Sequence, residues 1–304
     1  METVNCNFCG SDETTVLYSG RDRLLNGSQV FNGVRCRQCG LIYINPRPTI
    51  DEIANYYPAE YEPFKRHERL QSLPARISYR ISFSKRRRIA SHGLKPGRLL
   101  DIGSGSGDFL LEMRAAGWDV HGLDISPAAC EATRKRGMDT FNGQLFDAPY
   151  PEQSFDLITM WDVLEHVHDP MGHLQRICNL LVPNGRYVVT LPNPESLDLF
   201  IFKGLWAGLD IPRHLYVYPR KTLIAMIEQA GMEVLSIRCV TGGPRASIWS
   251  IEFVIDDKVN NPRLKKFLIK VIYSPVWYLA WRPFYFVLDQ IKAGSSITFT
   301  CRKR

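Results

Sequence analysis

The chain has 304 residues, enough for one large domain with an appendage. Hydrophobic residues make up 45% and charged residues 23%, which excludes a disordered chain, a collagen-like repeat and a polytopic membrane protein. The formal net charge of +7 suggests an anionic partner. The first ten residues are too polar for a signal peptide, so we expect the chain to work in a reducing cytoplasm.

Four of the eight cysteines form two closely spaced pairs, Cys6 with Cys9 and Cys36 with Cys39, and a glycine follows each pair. Two intervening residues let both sulfurs reach one ion, and the glycine can take the positive φ that turns backbone N–H groups toward the thiolates. This pattern predicts a ribbon over residues 1–45 that is held by structural zinc. Disulfides and a redox motif are the competing interpretations, which two matched pairs disfavour, and an iron–sulfur cluster stays an alternative.

Residues 46–96 form a linker and a basic helical region. Its positively charged residues are Arg76, Arg80, Lys85, Arg86, Arg87, Arg88 and Lys95. Most such runs are a solvated helix face. The functional interpretation is contact with phosphate, on a nucleotide-linked or lipid-linked sugar, on nucleic acid or on anionic lipid.

From residue 97 to residue 240, short apolar runs alternate with helical stretches, the signature of βαβ units and a parallel sheet. The predicted strands are Arg98–Ile102, Asp119–Leu123, Phe155–Trp161, Arg186–Leu191 and Glu233–Val240, with Ser296–Cys301 near the end of the chain. The predicted helices are Asp108–Ala116, Pro127–Arg136, Met171–Leu181 and Lys221–Ala230. We therefore predict an α/β fold with a doubly wound, mostly parallel sheet.

Glycines at 103, 105 and 107 follow the first of these strands, and the next helix begins directly after them. Such a loop lets a ligand approach the backbone, near the free N–H groups of a helix start. Asp108 departs from the dinucleotide fingerprint, and no Lys-Ser/Thr follows, which excludes a P-loop. Asp124 ends the second strand, where a carboxylate would accept hydrogen bonds from ribose hydroxyls. A helix cap is the alternative for Asp124.

These motifs resemble those of class I S-adenosylmethionine-dependent methyltransferases. The matching stretches are Asp101-Ile-Gly-Ser-Gly-Ser-Gly107 with Asp124, Trp161-Asp-Val-Leu-Glu-His-Val167 and Leu181-Val-Pro-Asn-Gly-Arg186. The resemblance covers about residues 95–240 and implies a seven-stranded, Rossmann-like methyltransferase domain over residues 97–304. With the cysteine pairs, Asn45-Pro-Arg-Pro48 and Asp210-Ile-Pro-Arg-His-Leu-Tyr216, the chain looks like bacterial methyltransferases of cell-surface polysaccharide and related secondary pathways.

The resemblance also implies a set of residues that bind S-adenosylmethionine. They are Asp101, Gly103, Gly105, Gly107, Asp124, Ile125, Gln144 and Trp161. The loop residues with Asp101 would hold the methionine portion and Asp124 the ribose, while Ile125 would lie against the adenine. Gln144 would meet the adenine amino group, with Asp147 as a nearby rival. Trp161 would flank the cofactor near the sulfonium.

Two histidines are candidates for the chemistry at the acceptor. The sulfonium methyl is already an activated electrophile, so the protein contributes mostly alignment. A hydroxyl acceptor also needs a base, and histidine is the side chain best poised near neutral pH. His166 and His214 are the candidates; a role for His166 in shaping the pocket is its alternative. Nothing in the sequence indicates a nucleophile or a catalytic metal.

Residues 241–294 form an aromatic insertion between two consecutive predicted strands. Eight aromatic residues lie within Phe267–Leu288, together with two charged residues and two prolines, which count against a membrane-spanning helix. Short amphipathic helices packed on the domain are one interpretation. The other is helices in a membrane interface, with Trp277, Tyr278, Trp281 and Tyr285 at headgroup depth.

The function predicted is methyl transfer from S-adenosylmethionine to a small or lipid-linked acceptor, as O-methylation of a saccharide in cell-surface polysaccharide biosynthesis. We expect a cytoplasmic enzyme with a saccharide substrate, and peripheral association with an anionic membrane as a further option. One alternative is an RNA-directed methyltransferase that uses the ribbon and the basic run. The other is a non-catalytic binding module.

Overall fold

The computed structural model describes residues 1–25, 27–57, 73–239 and 244–304. The strands, in chain order, are β1 (Thr14–Arg21), β2 (Val30–Cys36), β3 (Ile42–Ile44), β4 (Arg98–Ile102), β5 (Asp119–Asp124), β6 (Asp139–Asn142), β7 (Phe155–Trp161), β8 (Leu181–Pro192), β9 (Tyr216–Val217), β10 (Met232–Arg238) and β11 (Ser296–Lys303). The helices are α1 (Leu73–Ala90), α2 (Asp108–Ala115), α3 (Pro127–Arg134), α4 (Pro170–Leu180), α5 (Leu197–Phe202), α6 (Arg220–Gln229), α7 (Pro244–Lys258), α8 (Pro262–Ile272) and α9 (Pro275–Gln290). Short 3-10 turns at Leu164–His166 and Ala207–Leu209 border the site.

Seven strands form the central sheet in the order β10-β11-β8-β7-β4-β5-β6. From β8 to β6 all neighbours are parallel, and β11 is antiparallel to both of its neighbours. The predicted seven-stranded, mostly parallel α/β fold is confirmed. Because β4, β5 and β7 are parallel, their carboxyl ends share one edge, the edge at which such sheets bind ligands.

The observed elements of this sheet differ from the predicted ones mainly at two places. β6 is not among the predicted strands, because it has four residues and begins and ends on the polar Asp139 and Asn142. β8 begins at Leu181 rather than Arg186. Leu181 pairs with Phe155 before the register shifts, so the motif Leu181-Val-Pro-Asn-Gly-Arg186, with Asn184 at φ 61°, lies inside the strand.

A second, antiparallel sheet has the order β1-β2-β3-β9. Its first three strands come from the cysteine-bearing N-terminal region, whereas β9 comes from a segment far along the chain. In β3 and β9, Ile42 pairs with Val217 and Tyr43 with Tyr216. Since β9 begins two residues after His214, the N-terminal sheet holds one end of the loop that carries this histidine.

Helices α7 to α9 lie between β10 and β11, as predicted, and pack around a small apolar cluster of their own. Tyr285 is buried, which counts against a place for its ring at headgroup depth. Trp277 is half-buried, and for this ring the membrane interpretation stays a prediction. Trp281 is exposed, and the side chain of Tyr278 lies outside the described residues. None of the described helices is long and apolar enough to cross a membrane.

Candidate active site

The glycine loop after β4 is fixed to the ends of two neighbouring strands. Its glycines have positive φ values, 72° at Gly103, 53° at Gly105 and 74° at Gly107. A Cβ on Gly103 would come within 2.4 Å of Val163, which follows β7. On the other side, the Gly105 N–H donates to the Asp124 carboxylate at 2.8 Å. The space beside Gly105 is open, because a Cβ built there would meet no atom within 4 Å.

Two of the predicted cofactor residues are carboxylates at this edge. Asp124 also accepts the Ser126 N–H at 2.9 Å, and burial raises its pKa. Asp101 is buried and accepts the Thr159 hydroxyl at 2.6 Å. Burial raises the pKa of Asp101 to about 7. The charge of Asp101 therefore changes close to neutral pH.

The expected adenine end of the site lies where β5 and β6 end. Ile125 is 72% exposed there, which leaves its side chain available to a ligand. The Asn142 amide donates to the carbonyls of Asp124 and Ile125 at 3.0 and 3.2 Å, a contact the sequence analysis missed together with β6. Gln144 and Asp147 are both exposed in the loop after β6. The choice between them as the adenine contact stays a prediction.

Trp161 ends β7 and is buried against the sheet. Its ring meets Phe109 edge to face, with centroids 5.2 Å apart. The guanidinium of Arg86 lies 4.9 Å from the centroid of the Trp161 ring and 3.4 Å from the Asp162 carboxylate. Helix α1 therefore reaches the carboxyl end of β7 through Arg86.

The basic run on α1 is divided between internal contacts and solvent. Arg86 faces the site, and Arg87 pairs with Glu112 at 3.0 Å. Lys85 and Arg88 are exposed. The remaining cations before residue 82, Arg76 and Arg80, have side chains outside the described part of the chain. Part of the charge that suggested a phosphate partner is thus already paired within the chain.

His166 and His214, which come from different predicted motifs, lie together in the structure. The Nδ1 atom of His166 is 3.0 Å from the Arg213 carbonyl and 2.8 Å from the Tyr57 hydroxyl. The Nδ1 atom of His214 is 2.8 Å from the Gly208 carbonyl. Because a carbonyl oxygen only accepts, each Nδ1 carries the proton and each Nε2 keeps a lone pair. Burial lowers the pKa of His166 to about 3 and lowers that of His214 as well, so both rings are neutral at pH 7.

Glu165 completes this cluster and was missed by the sequence analysis. Its carboxylate and one ring nitrogen of each histidine lie within 4.8 Å of one another. Both carboxylate oxygens are buried without a hydrogen-bond partner among the described residues, and burial raises the pKa of Glu165 well above its usual range. An unpaired buried carboxylate is costly, and a carboxylate with two neutral imidazoles is a donor set that divalent cations bind. The available signal was an acidic residue next to His166 in an otherwise apolar turn.

Buried ion pairs hold the loop that carries His214. Arg213, 1% exposed, pairs with Asp22 at 2.8 Å and with Asp210 at 2.7 Å. Asp22 follows β1 and is itself 3% exposed. The N-terminal sheet therefore supports the loop through Asp22 as well as through β9.

Comparisons with known proteins identify the family. A family model described as a methyltransferase domain matches residues 67–237. The chain belongs to this family. The ubiquinone biosynthesis O-methyltransferase of Bordetella avium is 30% identical over 172 residues, a match covering 52% of this chain and 71% of that protein. The protein of the same name from Cereibacter sphaeroides is 28% identical over 166 residues, with 51% and 67% covered.

Solved structures share the fold of this methyltransferase. A SAM-dependent methyltransferase from Archaeoglobus fulgidus matches with a TM-score of 0.51 and 18% identity, covering 74% of this chain and 94% of that one. One from Mesorhizobium loti matches with a TM-score of 0.50 and 16% identity, covering 73% and 98%. At these identities the likeness concerns the fold alone. Membership of the family makes the chain an S-adenosylmethionine-dependent methyltransferase.

The methyltransferase carries a four-cysteine cluster outside its central sheet. The Sγ atoms of Cys6 and Cys39 are 3.4 Å apart, and those of Cys9 and Cys36 are 3.5 Å apart. None of the eight cysteines forms a disulfide, which excludes that interpretation of the pairs. The glycine after each pair has the predicted positive φ, 77° and 79°. The four Sγ atoms all lie within 4.8 Å of one another.

Proposed function

We propose that this methyltransferase transfers the methyl group of S-adenosylmethionine to a hydroxyl oxygen of a saccharide, in a small or lipid-linked acceptor of cell-surface polysaccharide biosynthesis. The observation that carries the proposal is the buried carboxylate of Glu165, which has no hydrogen-bond partner among the described residues and lies within 4.8 Å of a ring nitrogen of each of two neutral histidines. Glu165 comes two residues after Val163, which approaches Gly103 of the glycine loop. The sulfonium methyl is already activated, so the cluster of Glu165, His166 and His214 would act on the acceptor and not on the cofactor. Relatives named O-methyltransferases support oxygen as the methylated atom. The saccharide class rests on the sequence resemblance.

Several residues of the site fit S-adenosylmethionine. Each oxygen of Asp124 accepts one backbone N–H and has a second lone pair, so the carboxylate would bind both ribose hydroxyls. The exposed Ile125 would cover the adenine. The open space beside Gly105 admits the methionine portion, with its ammonium near Asp101. Gly103 and Gly107 would hold the loop in shape, and Trp161 would lie near the sulfonium.

The chemistry of hydroxyl methylation sets what the cluster must do. The O–CH₃ bond forms as the S–CH₃ bond breaks, which leaves a neutral thioether, so the hydroxyl must also lose its proton. A free His166 with a pKa of about 3 is a weak base at neutral pH. We infer that Glu165, His166 and His214 instead bind a divalent cation, which would lower the pKa of a hydroxyl bound to it, so that the hydroxyl proton would pass to solvent water. The same cation would compensate the charge of Glu165.

The four-cysteine cluster is proposed as a structural zinc site. Tetrahedral zinc with Zn–S bonds of about 2.3 Å separates its sulfurs by about 3.8 Å. The observed separations of 3.4 and 3.5 Å are close to that value. Four protein sulfurs saturate the ion, so the role would be to hold the N-terminal sheet and not to act on substrate.

A second class of acceptor is a phenolic hydroxyl, and the observation that favours it is the similarity to proteins named ubiquinone biosynthesis O-methyltransferases. Transfer to RNA has less support, since Arg86 and Arg87 of the basic run are engaged within the chain. The experiment is a screen with labelled S-adenosylmethionine against sugar nucleotides, lipid-linked sugars, phenols and RNA. Label in a saccharide hydroxyl supports the proposal; label in RNA alone contradicts it, and label in a phenol moves the acceptor to the second class.

A further inference from the structure

Helices α8 and α9 expose apolar side chains that nothing in the described chain covers. On α8 these are Leu264 and Phe267. On α9 and at its end they are Val276, Leu279, Trp281, Phe284, Phe286, Val287 and Ile291, with Val276 76% and Phe286 64% exposed. We call this set the α8–α9 face. Single exposed apolar residues are ordinary, but nine of them on two consecutive helices indicate an interaction surface.

The most exposed residues of the α8–α9 face on α9 lie away from the side on which this helix packs. On α9 the buried residues Tyr285 and Leu288 lie three apart along one side of the helix. Val276, Leu279 and Phe286 share another side, at the spacing of an amphipathic helix. The side that packs on α7 is thus already occupied, and the α8–α9 face is a second apolar side.

Positive charge borders this face. Arg263, Lys266 and Lys270 are exposed on α8 at a spacing that forms one stripe, beside Leu264 and Phe267. Residues 262–292 contain six basic residues and one acidic residue, Asp289. Asp289 is itself half-buried, and this burial raises its pKa to about 6. An apolar face with a cationic border complements an anionic surface with an apolar interior.

We propose that the α8–α9 face lies in the interface of an anionic lipid bilayer, with the apolar side chains among the acyl chains and the basic stripe at the phosphates. A second copy of the chain is a poorer occupant, because the cationic borders of two identical faces would repel each other. The helices lie on the membrane and do not cross it.

A short series of contacts connects helix α7, on which α8 and α9 pack, with the cluster at the catalytic edge. The Ser250 hydroxyl on α7 accepts the Ala207 N–H at 2.9 Å. The next residue, Gly208, accepts the Nδ1–H of His214 through its carbonyl at 2.8 Å. Membrane-bound α8 and α9 would thus be joined to the His214 loop through α7. An acceptor carried by a lipid is consistent with this connection, a step that rests on the proposed hydroxyl methylation.

Flotation of the full chain with vesicles tests the proposal. We expect binding to vesicles of phosphatidylcholine with phosphatidylglycerol and weak binding to phosphatidylcholine alone. The double variant Val276→Asp/Phe286→Asp should lose binding, and Lys266→Glu/Lys270→Glu should weaken binding to the anionic vesicles about tenfold or more. Val16→Asp/Leu17→Asp, which places the same two charges at residues of β1 that are 58% and 48% exposed, is the matched control and should float like the unchanged chain.

Three outcomes overturn the proposal. The first is that a chain that binds S-adenosylmethionine normally by calorimetry floats with neither vesicle. In the second, the double aspartate variant floats as well as the control. In the third, sedimentation shows a dimer that the double variant dissociates, which would make a second copy the occupant. Glu165→Gln should float normally, so a failure of the proposed chemistry and a failure of membrane binding are measured separately.

Discussion

The imidazole rings of His166 and His214 meet edge to face, with centroids 4.6 Å apart. One follows β7 in the central sheet, and the other precedes β9 in the N-terminal sheet. The two sheets therefore meet at this pair, with the Glu165 carboxylate beside it. The cluster exists because both sheets are in place, and this relationship gives the N-terminal region a part in shaping the site.

Replacement of Glu165 by glutamine tests the cation site. The amide keeps the shape but removes the charge, so we expect Mn²⁺ binding, followed by electron paramagnetic resonance, to weaken at least about tenfold and methyl transfer to fall about 100-fold. Affinity for S-adenosylmethionine should stay unchanged. Glu233→Gln, which removes an exposed partner of Arg302, is the control. Equal Mn²⁺ affinity of Glu165→Gln and the unchanged chain would contradict the assignment.

Asp124 is the proposed ribose ligand. Asp124→Ala removes two charge-assisted hydrogen bonds to the ribose, each worth about 1.5–3 kcal/mol, so we expect affinity for S-adenosylmethionine to fall about 100-fold or more by calorimetry. Asp147→Ala, at the exposed rival position near the adenine, should have a smaller effect. An unchanged affinity in Asp124→Ala would remove the ribose assignment.

The pKa of Asp101, raised by burial to about 7, predicts that cofactor binding depends on pH. The ammonium of S-adenosylmethionine favours the ionised carboxylate, which predominates above this pKa. Affinity for S-adenosylmethionine should therefore rise as the pH is increased from about 6, below the pKa of Asp101, to about 8, above it. Asp101→Asn should lose the dependence. Thr159→Val should move the midpoint to higher pH, since the Thr159 hydrogen bond lowers the pKa. A profile identical in the unchanged chain and Asp101→Asn would refute this role.

Metal analysis tests the four-cysteine site. We expect one zinc per chain in protein purified without chelators, and loss of zinc with a lower melting temperature in Cys36→Ser. Loss of zinc should also destabilise the start of helix α4, because the Asn7 side chain accepts the Met171 N–H at 2.9 Å. Cys130→Ser, outside the cluster, should keep its zinc. Protein without zinc, or with iron instead, would contradict the proposal.

The buried pair of Arg213 and Asp22 predicts a large effect on stability. Asp22→Asn leaves the guanidinium with one carboxylate partner in a buried site, so we expect the free energy of unfolding to fall by about 3 kcal/mol. Asp257→Asn removes a more exposed partner of Arg23 and should cost less than about 1 kcal/mol. Denaturant unfolding of both variants makes the comparison. Equal, small effects would show that the buried pair does not hold the loop.

The strands and helices of the central sheet were predictable because their apolar residues follow a regular spacing and glycines mark where the helices end. Glycines 117 and 137 end the segments of α2 and α3 with φ values of 90° and 73°, which few other residues adopt. The position of Asp124 beside the glycine loop follows from parallel neighbouring strands. The cysteine pairs have a fixed spacing, and their convergence was predictable for the same reason.

The acceptor cluster was not predictable to the same degree. Glu165 is a candidate ligand because it is buried and has no hydrogen-bond partner among the described residues, and both are properties of the tertiary structure. The neighbourhood of His166 and His214 depends on the pairing of β9 with β3, and β9 has two residues and no periodicity of its own. Likewise, the inward direction of Arg86 depends on Trp161 and Asp162, which are distant in the sequence.

The position of the transferred methyl group on the product decides whether the methyltransferase acts on a hydroxyl oxygen. Product formed from labelled S-adenosylmethionine and the acceptors of the screen is analysed by nuclear magnetic resonance, for the unchanged chain and for Glu165→Gln. We expect a methyl ether on a hydroxyl oxygen, which Glu165→Gln forms about 100-fold more slowly with unchanged cofactor affinity. A methyl group on nitrogen or carbon, or equal rates for the two proteins, would contradict it.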